Sequence, residues 1–267
     1  MDFKSQGRVL IIAGSDSGGG AGVQADIKTV SMLGGYAASA ITAITVQNTL
    51  GVSFIQSVPA ELVKAQAMAV LEDIGADAIK TGMLGDQATV ETTAEVIDHG
   101  GVPAVIDPVM AAKGGAALLD PAALSAFSRL LIPRAALLTP NAPEAEALTG
   151  LSVRDLAGQR NAGEVLLKAG AKAVLVKGGH IPGDRVTDLL ITASGETLLE
   201  GPRIDSRHTH GTGCTLASAC AVGLAQGLSL EDAVARAWAY VAEAIRTAPG
   251  LGAGQGPLNH GWPLTKP

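Results

Sequence analysis

Short apolar runs alternate with helix-length amphipathic segments along most of this sequence, and that alternation limits the possible folds more than any other feature. Six runs have the length and composition of buried strands: 9–13, 40–46, 76–80, 104–106, 135–138 and 173–176. Helical patterns cover 88–97, 121–131, 156–169 and 230–247, and Val63, Ala67, Val70 and Ile74 form another apolar stripe. Strands that alternate with helices form βαβ units, so we predict an α/β fold with a mainly parallel sheet.

The pattern changes at 186–199. Residues 186–192 and 196–199 are strand-like, and the Ala193-Ser194-Gly195 segment between them is typical of a hairpin turn. We therefore predict an antiparallel hairpin at one edge of the sheet. Because the sequence shows no repeat, no low-complexity segment and no linker, we predict one domain over 1–267.

Charge and cysteine usage exclude several classes of protein. The formal net charge is −6, aromatic residues are only 3%, and no long basic run occurs, which argues against nucleic acid or an anionic membrane as the main partner. The two uncharged stretches, 32–60 and 211–230, are interrupted by glycine, proline and polar residues, so we predict a buried strand pair and a buried helix. Cys214 and Cys220 are too far apart on a helix to form a disulfide, and the first apolar run is too short for a signal peptide. These features predict a reducing, cytoplasmic location.

Polar residues follow almost every predicted strand. They include Ser15-Asp16, Gln47-Asn48, Thr81-Gly82, Asp107-Pro108, Thr139-Pro140-Asn141 and Lys177-Gly178. In parallel sheets ligands bind beyond the carboxyl ends of the strands, so these residues are predicted to surround one site. The P-loop, the G-x-G-x-x-G fingerprint, zinc-ligand spacing and the G-x-S-x-G elbow are all absent from the sequence.

The most informative motif is His-Thr-His-Gly-Thr-Gly-Cys at 208–214, which precedes a long apolar helix. Gly211 and Gly213 allow successive N–H groups to point into one space, where a helix N-terminus favours a phosphoryl group. A thiol at Cys214, in the first helical turn, is expected to have a lowered pKa and to accept a proton from a hydroxyl. The alternative interpretation is a glycine-rich helix entry with a small buried cysteine.

Two further segments have both a local and a functional interpretation. Asn141 and Glu144 have the spacing of a helix-capping box, but Glu144 and Asp107 together are also a suitable pair for Mg²⁺. The glycine-rich segment 14–22 is either a flexible turn or a close backbone approach to a small substrate.

Taken together and in this order, these segments resemble the hydroxymethylpyrimidine/phosphomethylpyrimidine kinases of thiamine biosynthesis, in the ribokinase-like superfamily. The resemblance covers nearly the whole chain and rests on 14–26, 47–49, 80–84, 107–110, 139–144, 177–180 and 209–214. It implies a three-layer sandwich in which helices flank the sheet. It also implies a homodimer that uses ATP and Mg²⁺ to phosphorylate 4-amino-5-hydroxymethyl-2-methylpyrimidine and then its monophosphate.

The resemblance also implies a role for each site residue. It assigns the pyrimidine pocket to Gly14, Asp26, Gln47, Met83 and Val109. It assigns the role of base to Cys214. It implies that the γ-phosphoryl group is held by Gly211, Thr212 and Gly213, and that the nucleotide is bound by Asn141, Lys177 and Thr209. Asp107 and Glu144 organise Mg²⁺.

The sequence departs from the family at two loops, and two rival functions remain open. Ser17-Gly18 replaces the expected Pro-Ser, and Gly114-Gly115 follows Lys113 where Ser-Gly is expected. Both departures bear on loop closure over the substrate. The first rival is a pyridoxal kinase, which the amide of Gln47 disfavours. The second is a non-catalytic pyrimidine sensor, which would not need Cys214.

Overall fold

The computed structural model describes residues 6–111 and 118–265, and within these it contains nine strands and eight α-helices. The strands are β1 (Arg8–Asp16), β2 (Tyr36–Asn48), β3 (Gly51–Ser57), β4 (Ala78–Thr81), β5 (Ala104–Ile106), β6 (Ala135–Leu138), β7 (Ala173–Val176), β8 (Arg185–Thr192) and β9 (Gly195–Pro202). The helices are α1 (Gly22–Met32), α2 (Ala60–Asp73), α3 (Gln87–Gly100), α4 (Pro121–Leu130), α5 (Ala142–Thr149), α6 (Leu156–Lys168), α7 (Thr212–Ala225) and α8 (Leu230–Arg246).

All nine strands belong to one sheet, in the order β3-β2-β1-β4-β5-β6-β7-β8-β9. The central strands β2, β1, β4, β5, β6 and β7 pair in parallel, as predicted from the alternation of strands and helices. The predicted hairpin is confirmed, because β8 pairs antiparallel with both β7 and β9. The carboxyl ends of the parallel strands therefore meet at one side of the molecule.

Helices cover both faces of the sheet, which confirms the three-layer architecture. Alternate side chains of β1 point to opposite faces, as the two-residue period of a strand requires. Val9, Ile11 and Ala13 pack with α1, α7 and α8, whereas Leu10 and Ile12 pack with α2 to α6. The uncharged stretch at 211–230 forms α7, and residues 215–223 of that helix are buried, as predicted.

The prediction of a buried strand pair within 32–60 is only half right. β2 and β3 do pair, and they pair antiparallel, but β3 lies at the edge of the sheet and has no buried residue. Ile44, Val46 and Phe54 are each more than half exposed. An uncharged sequence identifies the strands, but it does not reveal whether a helix covers them.

No helix within the described residues is long and apolar enough to cross a membrane. Lys113, Gly114 and Gly115, the site of one departure from the family pattern, lie outside the described residues.

Candidate active site

A cavity of about 530 Å³ opens at the carboxyl ends of the parallel strands. Its lining brings together every predicted site residue except Asp26. These residues are Gly14, Gln47, Met83, Asp107, Val109, Asn141, Glu144, Lys177, Thr209, Gly211, Thr212, Gly213 and Cys214. They come from distant parts of the chain, and the strand order places them around one space.

The start of α7 forms one wall of this cavity. Gly211 has φ +82°, and a side chain there would overlap the carbonyl oxygen of Gly20, so only glycine allows the two loops to touch. The Thr212 hydroxyl donates to the Thr209 carbonyl oxygen at 2.6 Å. As first-turn residues, Gly213 and Cys214 have N–H groups with no acceptor inside the helix. This wall therefore presents backbone donors and the positive end of a helix dipole, which suits an anion.

A buried charge cluster lies beneath that wall. Lys177 Nζ donates to Asp107 Oδ1 at 3.0 Å and lies 3.9 Å from Glu144 Oε2. The Thr139 hydroxyl donates to the same Asp107 oxygen at 2.9 Å. A Cβ on Gly213 would lie 3.1 Å from Lys177 Nζ, so the ammonium sits directly under the first turn of α7.

The protonation of the cluster follows from its surroundings. Burial disfavours the Lys177 ammonium, but the carboxylates of Asp107 and Glu144 outweigh it and raise the pKa of Lys177. Burial raises the pKa of the Glu144 carboxyl, and the Lys177 ammonium opposes that shift. The lysine therefore stays charged, and an added cation or a phosphate can change the protonation of Glu144.

The local and functional interpretations of Glu144 are both compatible with the structure. Asn141 Oδ1 accepts from the Glu144 N–H at 2.9 Å, and Glu144 Oε2 accepts from the Asn141 N–H at 2.8 Å, which is a complete capping box at α5. The same Glu144 side chain faces Lys177 and lines the cavity. Capping holds the carboxylate in position without removing it from the site.

The prediction of a lowered thiol pKa at Cys214 is wrong. Cys214 is partly exposed at the cavity, but the surrounding protein desolvates the sulfur and raises its pKa to about 11. The nearby Lys80 ammonium and the Gly22 N–H favour the thiolate without overcoming burial. The position of a residue in the first turn is visible in the sequence, but its desolvation is not.

Another part of the cavity lining contains Asp16 and His210, to which the sequence analysis gave no individual role. His210 Nε2 lies 2.8 Å from Asp16 Oδ2 and 3.2 Å from Gln47 Nε2. Gln47 Oε1 is also 3.1 Å from the Thr45 hydroxyl. Asp16 and His210 both line the cavity, and His210, which contacts Asp16, lies against the Gln47 amide. Asp16 is the last residue of β1 and Asp107 comes directly after β5, and this common position at a strand end is the signal that identifies Asp16.

Asp16 also shapes the glycine-rich loop. Its carboxylate accepts from the backbone N–H groups of Gly18, Gly20 and Ala21, at 2.8, 3.1 and 2.8 Å. Burial opposes the charge of Asp16, but the hydrogen bonds from His210 and the loop lower its pKa overall. The loop is therefore folded around a carboxylate rather than being a free turn.

Asp26 does not lie in the predicted pyrimidine pocket. Its side chain is fully buried, and both carboxylate oxygens accept from Lys80 Nζ at 2.9 Å. Ser218 Oγ donates to Oδ1 of the same carboxylate at 2.7 Å. These partners occupy the carboxylate away from the cavity, so Asp26 cannot contact a ligand there without rearrangement.

The carboxylates suit a metal only in combination with other ligands. Among residues 6–111 and 118–265, no group of three or more His, Cys, Asp or Glu side chains is arranged to hold a metal ion. Mg²⁺ commonly takes one or two carboxylates and completes its shell with water and substrate phosphates. Asp107 and Glu144, which converge on Lys177, fit that kind of site.

The chain is similar to known proteins in both sequence and structure. Residues 16–259 match the family described as phosphomethylpyrimidine kinase. The hydroxymethylpyrimidine/phosphomethylpyrimidine kinase of Streptomyces coelicolor is 50% identical over 96% of this chain and 95% of its own length. The thiamine biosynthesis bifunctional protein ThiED of Geobacter sulfurreducens is also 50% identical, and the match covers 96% of this chain and 52% of that protein. The structure of the pyridoxal kinase of Staphylococcus aureus in complex with ADP has a TM-score of 0.89 at 36% identity, covering 96% of this chain and 93% of that one.

Proposed function

The chain belongs to the phosphomethylpyrimidine kinase family, and from that premise we propose that it phosphorylates 4-amino-5-hydroxymethyl-2-methylpyrimidine and then its monophosphate, with ATP as the donor, in thiamine biosynthesis. The observation that carries the proposal is the convergence of Cys214, the glycine amides of α7 and the Asp107–Lys177–Glu144 cluster on one cavity. This combination supplies an anion site, a counter-charge and a proton acceptor within reach of each other.

The pyrimidine is proposed to bind beside Gln47. A side-chain amide can accept from the exocyclic amine and donate to a ring nitrogen, which matches the polar edge of this heterocycle. The remaining surface is supplied by Gly14, Met83 and Val109. Glycine at position 14 keeps the pocket open, because a Cβ there would lie 3.0 Å from the Met83 sulfur. Asp26, which the resemblance assigned to the same pocket, is left out of the proposal because it is sealed beneath it.

The nucleotide is proposed to lie at the opposite end of the cavity. Gly211, Thr212 and Gly213 hold the γ-phosphoryl group through backbone N–H groups, and the Lys177 ammonium compensates its charge. Asn141 and Thr209, which line the same cavity, are proposed to bind the remainder of the nucleotide. Asp107 and Glu144 are the residues that would hold Mg²⁺, and the ion would neutralise charge on the phosphates.

Cys214 is proposed as the base of the first step. The thiolate, which is the minor form because burial raises the pKa of Cys214 to about 11, takes the proton of the acceptor hydroxyl. The hydroxyl oxygen bonds to the γ-phosphorus, and the bond from phosphorus to the ADP oxygen breaks. In the second step the acceptor is a phosphate oxygen that is already largely ionised near pH 7, so no base is required. The two phosphorylations therefore depend differently on one side chain.

Single-turnover rates with saturating ATP test this assignment. Cys214→Ala is expected to slow phosphorylation of the alcohol by about 10²–10⁴-fold and phosphorylation of the monophosphate much less. Cys214→Asp, which restores a proton acceptor, is expected to recover part of the first rate. Equal losses in the two steps would show that Cys214 serves packing or positioning.

A pyridoxal kinase activity is the second candidate, because the S. aureus pyridoxal kinase shares the fold over nearly the whole chain. Turnover of pyridoxal and of the pyrimidine by the same preparation separates the two. Gln47→Leu sharpens the test, since loss of a matched polar contact is expected to weaken pyrimidine binding about 5- to 150-fold and leave ATP binding nearly intact. An unchanged pyrimidine affinity would remove Gln47 from the acceptor site.

We also propose that the chain is a single domain that forms a homodimer in the cytoplasm. Support for the dimer comes from the sheet edge, where Ile44, Val46, Leu50 and Phe54 are 54 to 74% exposed. Apolar patches of this kind commonly mark protein interfaces. Sedimentation analysis tests this, and Val46→Lys/Phe54→Lys is expected to yield monomers if a second copy covers the edge.

A further inference from the structure

A second lysine–aspartate pair lies outside the cavity and has no part in the proposed reaction. Lys80 comes from β4 and Asp26 from α1, and the Lys80 ammonium lies 2.9 Å from both carboxylate oxygens. Both side chains have 0% exposure. Such a pair is costly to bury, and replacing it with apolar residues is often neutral or stabilising. Because stability alone does not explain this buried pair, its position relative to the reacting groups indicates its role.

The pair lies one helical turn below Cys214. On α1, Gly22 and Asp26 are four residues apart, and on α7, Cys214 and Ser218 have the same spacing, so each helix presents one face to the other. The Gly22 N–H favours a negative charge on the Cys214 sulfur, and Ser218 donates to Asp26 at 2.7 Å. Because Ser218 contacts Asp26 and lies four residues after Cys214 on α7, the ion pair is about one helical turn from Cys214.

The ammonium end of the pair is turned toward the cavity. A Cβ on Gly82 would lie 3.1 Å from Lys80 Nζ, and Gly82 is itself part of the cavity lining. Asp26 is held on the other side by α1 and α7. The pair is thus oriented, with its positive end toward the floor of the site and its negative end between the helices.

Several charges act on the sulfur, and they come from different elements. Lys80 favours the thiolate more strongly than Asp26 opposes it, as expected for a dipole with its positive end nearer. Asp107, after β5, also opposes the thiolate, and the Gly22 amide favours it. The Lys177 ammonium, after β7, also interacts with the Cys214 sulfur, but less strongly than with the carboxylates of Asp107 and Glu144. Lys80 is therefore the main cation that favours a charged sulfur.

We propose that Lys80 is a positioning residue for Cys214: its buried ammonium compensates the negative charge that the sulfur carries before it takes the proton of the acceptor hydroxyl. Asp26 holds that ammonium in orientation. The inference rests on the proposed role of Cys214, but the charge interaction itself is measurable without ATP or substrate.

The test is the rate of alkylation of Cys214 by iodoacetamide between pH 7 and pH 10, in a Cys220→Ala background so that one thiol is followed. Lys80→Met/Asp26→Asn removes both charges together and leaves no unpaired ion. The alkylation rate at pH 8 is expected to fall about 3- to 10-fold, because a higher thiol pKa reduces the thiolate more than it increases nucleophilicity. The rate of phosphorylation of the alcohol should fall with it, and that of the monophosphate should not.

A matched control is available at the amino ends of the strands, on the side of the sheet away from the cavity. Arg8, at the start of β1, pairs with Asp77 at 2.7 Å. Arg8→Met/Asp77→Asn deletes the same two charges far from the cavity, and it is expected to leave alkylation unchanged. If Lys80→Met/Asp26→Asn does not fold, Lys80→Gln with Asp26 intact can still donate to the carboxylate, and it is expected to slow alkylation in the same direction.

The alkylation and phosphorylation rates together distinguish three outcomes. A folded variant that lacks the Lys80 charge but alkylates at the wild-type rate would overturn the inference and leave the pair a packing element. Equal slowing in the Arg8→Met/Asp77→Asn control would also overturn it, since the effect would then be general. Slower alkylation with an unchanged first phosphorylation would support the charge interaction and instead remove Cys214 as the base.

Discussion

Lys177 and Lys80 each hold an aspartate beneath the first turns of α7, at 3.0 and 2.9 Å, but they differ in access to the cavity. Lys177 and Asp107 line the cavity, whereas Lys80 and Asp26 are completely sealed. The first pair can therefore touch a ligand and exchange partners with it. The second can act only through the protein around it. The same two residue types thus serve different purposes according to burial.

The largest expected effect is on stability, and it separates the two pairs. Lys80→Met leaves the Asp26 carboxylate buried and uncompensated, which is expected to cost about 3–5 kcal/mol. Lys177→Met is expected to cost roughly 1–3 kcal/mol, because water in the cavity can reach Asp107. Chemical denaturation of both variants measures the difference. Equal losses would mean that access to the cavity does not distinguish the pairs.

The next effect is on turnover. Asp107→Asn keeps an oxygen for the Thr139 hydroxyl but removes the charge that faces the phosphates, so kcat is expected to fall on the order of 10²–10³-fold with an altered Mg²⁺ dependence. Pyrimidine binding should change little. Asp77→Asn is the matched substitution outside the cavity and should retain normal turnover. Normal kcat and a normal Mg²⁺ curve in Asp107→Asn would reduce its carboxylate to a structural partner of Lys177.

The smallest effect concerns the Arg8–Asp77 pair, whose side chains are 32% and 30% exposed. The Arg8 guanidinium lowers the pKa of the Asp77 carboxyl, mainly through their hydrogen bonds. Its contribution, about 0.2–1 kcal/mol for a surface pair, is therefore present above the ordinary carboxyl pKa and is lost as pH falls through the lowered folded value. Denaturation of wild type and Asp77→Asn between pH 2 and pH 6 should converge at the acid end. A difference that persists at pH 2 would contradict this linkage.

Much of the site was predictable because it lies where strands end. Gln47, Met83, Asp107 and Lys177 follow strands that the sequence identifies, and parallel pairing brings their carboxyl ends together. Gly211 and Gly213 were also predictable from the local sequence, because a tight entry to a helix needs glycine. The sequence placed Asp16 at a strand end and His210 in the 208–214 motif, but it did not predict their contact, because the two residues are 194 positions apart.

The order of strands and helices, the edge hairpin and the set of strand-end residues were determined by the sequence alone, because they depend on local periodicity and turn chemistry. The exposure of β2 and β3, the burial of Asp26 and the raised pKa of Cys214 were decided only by the tertiary structure. Desolvation is a sum over neighbours from several elements, and Lys80 reaches Asp26 across 54 residues of chain. No local pattern contains that sum, which is why the residue types of the site were predictable and their protonation states were not.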